Sequence, residues 1–185
     1  MSKAEELVAK LKDLQIHVTT AESCTGGMVA SEIVRVSGAS SVFEQGYITY
    51  SNEAKEKELK VKADILEQYT EYSPQTAAAM ARGAAAKSGA EVAISVTGIA
   101  GPDGGTEEKP VGYVCIGCYI VPEVLTTMVE KKPGIFHIDM PEAGKCVVKE
   151  YHFQGDREEI RQQATEAAIE LACKGVGYIV ERCYG

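Results

Sequence analysis

The sequence has no apolar run approaching the ~20 residues that a membrane-spanning helix needs. Its first residues, Met1-Ser2-Lys3-Ala4-Glu5-Glu6, lack the charged-then-apolar layout of a secretory signal. It also lacks a basic run: 19 Lys and Arg stand against 27 Asp and Glu, for a net charge of −8. A chain with that balance attracts nucleic-acid phosphates poorly, so neither a nucleic acid nor a membrane is an expected partner. The expected compartment is the cytoplasm. Histidine is scarce as well. His17, His137 and His152 are the three, and none has a companion motif that would mark it as a general base. The acidic balance leaves room for a small anion, which a few backbone amides and one Arg can hold.

The 185 residues fit one domain, long enough to bury a core without disulfides or metal. Cys115-x-x-Cys118 has the spacing of a metal or redox pair. It lies within Gly112-Tyr113-Val114-Cys115-Ile116-Gly117-Cys118-Tyr119-Ile120, which reads as a strand. Residues three apart on a strand face opposite ways, so these two thiols are expected to be packing residues and no metal is expected.

Helix and strand patterns alternate along most of the chain. Ser2 with Glu5 forms a capping box ahead of Leu7, Leu11 and Leu14 at helical spacing. A short β-rich run, Ile16-His17-Val18-Thr19-Thr20, precedes the turn at Ser23. Further helices are expected over 28–36, 52–60 (with Asn52 as the cap), 63–69 and 73–89, and a strand over 43–50. The apolar run Ala93-Ile94-Ser95-Val96 reads as a buried strand. Strands over 111–120 and 146–153 read as a hairpin whose connection, 121–145, is a surface insertion. Asp156 with Glu159 caps a last helix with Ile160, Ala164, Ala167, Ala168 and Leu171 on its apolar face. This alternation predicts an α/β fold, a three-layer α/β/α sandwich with a mixed, mostly parallel sheet.

Three features invite chemistry. Ala21-Glu22-Ser23-Cys24-Thr25-Gly26-Gly27 turns from strand to helix, exposing a hydroxyl beside amides suited to an anion or a developing oxyanion. A plain helix cap explains the same residues, and Cys24 is a rival nucleophile. Lys55 falls in the first turn of its helix, where the dipole opposes a cation and favours the neutral amine, a possible base for a serine. Tyr50, just before that helix, could relay a proton, although an ordinary strand aromatic fits as well. The loop Thr97-Gly98-Ile99-Ala100-Gly101-Pro102-Asp103-Gly104-Gly105 offers amides for an anion nest, or is simply a wide turn. Arg157 opens the last helix, again opposed by the dipole, and an anionic partner would explain it.

These segments together resemble a known family. Ala21 to Gly27, Gly46-x-x-x-Tyr50-Ser51-Asn52-Glu53-Ala54-Lys55, Val96-Thr97-Gly98-Ile99-Ala100-Gly101-Pro102-Asp103-Gly104-Gly105-Thr106, Lys109-Pro110-Val111-Gly112 and Gly155-Asp156-Arg157 look like the CinA C-terminal domain. The resemblance implies a three-layer α/β/α fold. It also implies, as in enzymatic members, hydrolysis of nicotinamide mononucleotide to nicotinate mononucleotide and ammonia, with no cofactor. Carried over by motif, Ser23 would be the nucleophile, Lys55 its base and Tyr50 the proton relay. Thr25, Gly26, Gly27, Thr97, Gly98, Ala100, Gly101 and Arg157 would hold the substrate and its phosphate. Many relatives carry a further N-terminal domain, and activities of that part are not expected of this chain. The 121–145 segment is longer than the family's usual connection and is a candidate cover or homo-oligomer contact. Two other readings stay open: a non-catalytic nucleotide-binding or regulatory module, and a serine amidase for another small amide.

Overall fold

The computed structural model of the chain describes residues 1–121, 124, 135–139 and 145–184, with side chains up to 177 outside the stretch 135–145. In chain order its elements are α1 (Lys3–Leu14), β1 (Val18–Glu22), α2 (Met28–Val34), a short 3-10 turn (Ala39–Ser41), β2 (Phe43–Ile48) and α3 (Asn52–Leu59). Then follow α4 (Ala63–Tyr69), α5 (Pro74–Ser88), β3 (Val92–Gly98), β4 (Tyr113–Ile120), β5 (Ile135–Asp139), β6 (Lys145–His152) and α6 (Arg157–Tyr184). None of the described helices is long and apolar enough to cross a membrane.

The six strands form one sheet in the order β2-β1-β3-β4-β6-β5. β1 pairs parallel with both β2 and β3, while β3–β4, β4–β6 and β5–β6 are antiparallel. The sheet is therefore mixed, but the expectation of a mostly parallel one is corrected: antiparallel pairings outnumber parallel ones among the described strands. Two reversals in succession leave β6 running the same way as β1, β2 and β3. Those four strands end at one edge of the sheet, and each feeds a segment that reaches the same cavity. The 121–145 connection, expected as a surface insertion, contributes β5 as an edge strand. Its residues 122–123, 125–134 and 140–144 lie outside the described ones.

Helices cover both faces. α1, α2 and α6 pack one face through Leu7, Leu11, Ile33, Ile160 and Ile169 against Val18, Ile94 and Ile116. α3, α4 and α5 cover the other, where Leu59, Leu66, Met80 and the alanines of α5 meet Ala93, Cys115 and Val148. Each fully buried large aliphatic side chain contributes about 1.5–3 kcal/mol. Cys115 and Cys118 lie in opposite clusters, one on each face of the sheet, as the strand reading of that pair required.

The caps follow the sequence closely. Ser2 and Glu5 form the reciprocal capping box of α1, and Ser73 caps α5 with Pro74 in its first turn. Asp156 accepts from the Glu158 and Glu159 amides at the start of α6. One cap moves: Ser51, not Asn52, receives the Ala54 amide and starts α3. Gly83 sets how closely α3 can lie on α5, since a Cβ there would stand 1.9 Å from the Leu59 carbonyl oxygen. That close approach fixes α3, and with it Lys55, against the core.

Candidate active site

Three parallel strands and β6 deliver their following loops to the same sheet edge. β1 and β3 are neighbours: the chain leaves β1 into α2 on one face of the sheet, reaches β3 through α3–α5 on the other face, and leaves β3 into the 99–112 loop. A crevice at the carboxyl ends of two such strands is where open α/β sheets place ligands. A cavity of about 350 Å³ opens there, lined among others by Ser23, Lys55, Tyr50, Glu71, Gly98, Ala100, Gly101 and Arg157. That size lies within the range of about 300–1,000 Å³ typical of small-molecule sites.

Its centre is a buried pair. Lys55 Nζ lies 3.2 Å from Ser23 Oγ, and the two side chains come from segments 32 residues apart. Lys55 is 1% exposed. The amine also reaches the Thr49 carbonyl at 3.0 Å and the Tyr50 carbonyl at 3.5 Å. Burial lowers the Lys55 pKa below the ordinary 10.5, with the Glu71 carboxylate opposing that shift. The dipole argument from sequence thus reached the right direction, but loss of water is the leading cause. A neutral amine has two N–H groups and one lone pair. With both N–H groups given to the Thr49 and Tyr50 carbonyls, the lone pair is left for the Ser23 hydroxyl.

Cys24, the rival nucleophile, also lines the cavity. Burial pushes its thiol up to about 12, so at neutral pH it carries almost no thiolate and attacks poorly.

Tyr50 is 61% exposed. Its phenol oxygen accepts from Arg157 Nη2 at 2.9 Å, while Arg157 Nη1 donates to the Gly101 carbonyl at 2.6 Å. A guanidinium carries five N–H groups, and these bonds occupy two of them. Arg157 therefore ties the glycine loop to Tyr50 and still presents N–H groups at the cavity. In the loop itself, the amides of Ala100, Gly101, Asp103, Gly104 and Gly105 have no protein acceptor among the described residues. Gly101 and Gly104 take φ of +77° and +85°, backbone that glycine adopts without strain.

Four positions named from sequence lie elsewhere. Thr25, Gly26, Gly27 and Thr97 do not line the cavity. The Thr97 hydroxyl donates to the Glu71 carbonyl at 2.7 Å, so it fixes the chain beside the cavity. The Gly26 amide turns back to the Ser23 carbonyl, and the Gly27 amide donates to Glu22 at 2.9 Å. Both of these donors are therefore already used by the protein itself.

The residue responsible is Glu22, which sequence reasoning quoted within the turn without giving it a task. It is 1% exposed, and its carboxylate accepts from Thr25 Oγ1, Gly27 N, Val29 N and Ala30 N at 2.7–3.1 Å. It caps α2 from the preceding strand, because Gly27 has no side chain to do so. A sequence signal existed: an acidic residue ending a buried strand must find donors, and the next helix start supplies them. Arg161 was also missed. Its Nε donates to the Cys24 carbonyl at 3.0 Å and its Nη2 to the Thr25 carbonyl at 3.1 Å. The signal for it is its spacing, four residues after Arg157 on one helix face. Glu71 and Tyr72 reach the cavity from the α4–α5 connection, and no local pattern marks them.

Known proteins resemble this chain in sequence and in fold. A family model described as the CinA C-terminal domain matches residues 1–132. A putative competence-damage inducible protein of Clostridium novyi is 47% identical over 167 residues, covering 90% of this chain and 35% of that one. A CinA-like protein of Kosmotoga olearia is 43% identical over 168 residues, again 90% of this chain and 35% of the relative. The chain thus spans about a third of the length of these relatives. Among solved structures, the competence/damage inducible protein of Agrobacterium tumefaciens superposes with a TM-score of 0.77 at 34% identity, covering 96% of this chain and 97% of that one. A CinA superfamily protein of Klebsiella pneumoniae gives 0.80 at 26% identity, covering 95% and 96%.

Proposed function

This chain belongs to the CinA C-terminal domain family, and from that premise we propose that it is a serine amidohydrolase that converts nicotinamide mononucleotide to nicotinate mononucleotide and ammonia. The observation that carries the reading is the buried Lys55 amine 3.2 Å from the Ser23 hydroxyl, on a cavity that also offers Arg157 and a loop of open amides.

In this mechanism Ser23 Oγ attacks the carboxamide carbon while its proton passes to the Lys55 lone pair. The carbonyl oxygen becomes an oxyanion, for which the Cys24 amide is the donor left on the cavity; no other described residue accepts from it. The tetrahedral adduct collapses as the protonated Lys55, with Tyr50 as the relay, gives its proton to the departing nitrogen. Ammonia leaves and an acyl-Ser23 ester remains. Water, deprotonated by the same lysine, hydrolyses that ester to the acid and regenerates the hydroxyl. The substrate phosphate seats against the open loop amides and the unspent N–H groups of Arg157.

A buried lysine aimed at a serine favours this reading over a pure binding module, because burying an amine beside a hydroxyl adds nothing to nucleotide recognition. The test is ammonia release from nicotinamide mononucleotide by the wild type and by Ser23→Ala. Loss of the nucleophile is expected to cut kcat by about 10³-fold or more. In the wild type, kcat/KM should rise with pH to a midpoint below 10.5, as Lys55 becomes neutral. Equal ammonia release from Ser23→Ala would remove the mechanism. Release from unphosphorylated amides as fast as from the mononucleotide would move the substrate assignment.

A further inference from the structure

We propose that Arg161 is a positioning residue that holds the Cys24 and Thr25 carbonyls and so fixes the peptide planes presenting Ser23 Oγ and the unspent Cys24 amide to the scissile carboxamide. The proposal rests on the acyl-Ser23 reading above and assigns to it a residue outside the cavity.

The turn is gripped from two sides. On the amide side, Glu22 takes Gly27, Val29 and Ala30. On the carbonyl side, Arg161 takes Cys24 and Thr25 at 3.0 and 3.1 Å. Its third nitrogen, Nη1, is held by Glu158 Oε2 at 2.6 Å. The guanidinium lies directly against the turn, with Nη2 only 3.6 Å from where a Gly26 Cβ would sit.

Peptide planarity turns these contacts into orientation. In a trans peptide the C=O of one residue and the N–H of the next lie in one plane and point opposite ways. Holding the Cys24 carbonyl therefore sets the direction of the Thr25 N–H. Holding the Thr25 carbonyl sets the Gly26 N–H, which donates to the Ser23 carbonyl at 3.1 Å. That last bond fixes the Ser23–Cys24 peptide and hence the Cys24 N–H. One side chain thus determines three consecutive peptide planes, the first of which carries the free Cys24 donor on the cavity. Only a planar fork spans both carbonyls at once, so Lys at 161 could hold one of them at most.

The test uses a fluorophosphonate probe, which phosphonylates an activated serine whatever the natural substrate. Ser23 Oγ forms the new P–O bond, fluoride leaves and Lys55 takes the proton. Arg161→Ala and Arg161→Lys should both label Ser23 about 10–100-fold more slowly than the wild type, the cost of a nucleophile displaced by about an ångström. With nicotinamide mononucleotide the loss should fall on kcat, with KM and the pH midpoint unchanged and the melting temperature within about 4 °C of the wild type. Labelling at the wild-type rate would overturn the proposal, as would a raised KM with kcat intact. A melting temperature that falls in step with the rate in Arg161→Lys would overturn it too, by showing a structural role only. A wild type that labels at Ser23 but releases no ammonia from the mononucleotide removes that substrate, while the labelling rates still decide the role of Arg161. A wild type unlabelled at Ser23 overturns both readings.

Discussion

Two glycine-rich turns meet at the same cavity, and most of their amides are in opposite conditions. In the turn after β1, the amides of Ser23, Gly26, Gly27 and Met28 are all given to protein oxygens, two of them through bonds that close on the turn itself and one on Glu22. In the loop after β3, five amides between Ala100 and Gly105 have no protein acceptor among the described residues. Glycine content is similar in both, so it does not decide which one can take an anion. The presence of a competing acceptor does. A carboxylate buried one residue before the first turn has already claimed the anion site that the start of α2 would offer. The turn is thereby made rigid enough to hold a nucleophile, while the loop remains available to a phosphate.

That difference can be broken by removing the acceptor. Glu22→Ala leaves three backbone amides and the Thr25 hydroxyl without a partner inside the fold. Each buried donor so abandoned costs about 1–3 kcal/mol, so the melting temperature should fall by roughly 10 °C or more. Calorimetry or urea unfolding would measure it, and a variant as stable as the wild type would show that the turn does not depend on Glu22. The loop can be sharpened through its Arg. Arg157→Ala should raise KM for the mononucleotide about 10–100-fold, the value of a charge-assisted contact, and raise it little for the unphosphorylated nucleoside. An equal rise for both would take the phosphate away from this end of the cavity.

The smallest effect concerns Lys55, which stands between the two turns. Its folded-state pKa is lowered, so between that value and the ordinary 10.5 the unfolded chain binds the extra proton more tightly. Wild-type stability should therefore gain a contribution as pH rises through that window, complete above 10.5. Lys55→Met lacks this group, and the gap between variant and wild type in urea midpoints should close as pH rises. A gap independent of pH would mean that Lys55 keeps its proton in the folded protein.

Local signals carried much of the fold. Leu7 and Leu11 at helical spacing, the Ser2–Glu5 box, Ser73-Pro74 and the run Ala93-Ile94-Ser95-Val96 each act within a few residues, and each appears where the pattern put it. Strand direction was less legible: β4 and β5 run against the other strands because of pairings between segments far apart in the chain. The site divides in the same way. Ser23, Lys55, Arg157 and the 98–105 loop were marked by type and by position at helix starts or in glycine turns. Thr97 was marked too, yet its hydroxyl is taken by a carbonyl 26 residues away. Arg161 carried only its spacing from Arg157 and Glu71 carried no local signal; what each touches was decided by where α6 and the α4–α5 connection lie.

By itself the sequence determined which residues are suited to chemistry and which helices and strands carry them, because capping, periodicity and turn conformation are properties of neighbouring residues. Only the tertiary structure decided which of those groups remain free to act. A hydrogen-bond donor can be spent once, and where Thr97 and Arg161 spend theirs depends on segments that the chain brings together from far apart.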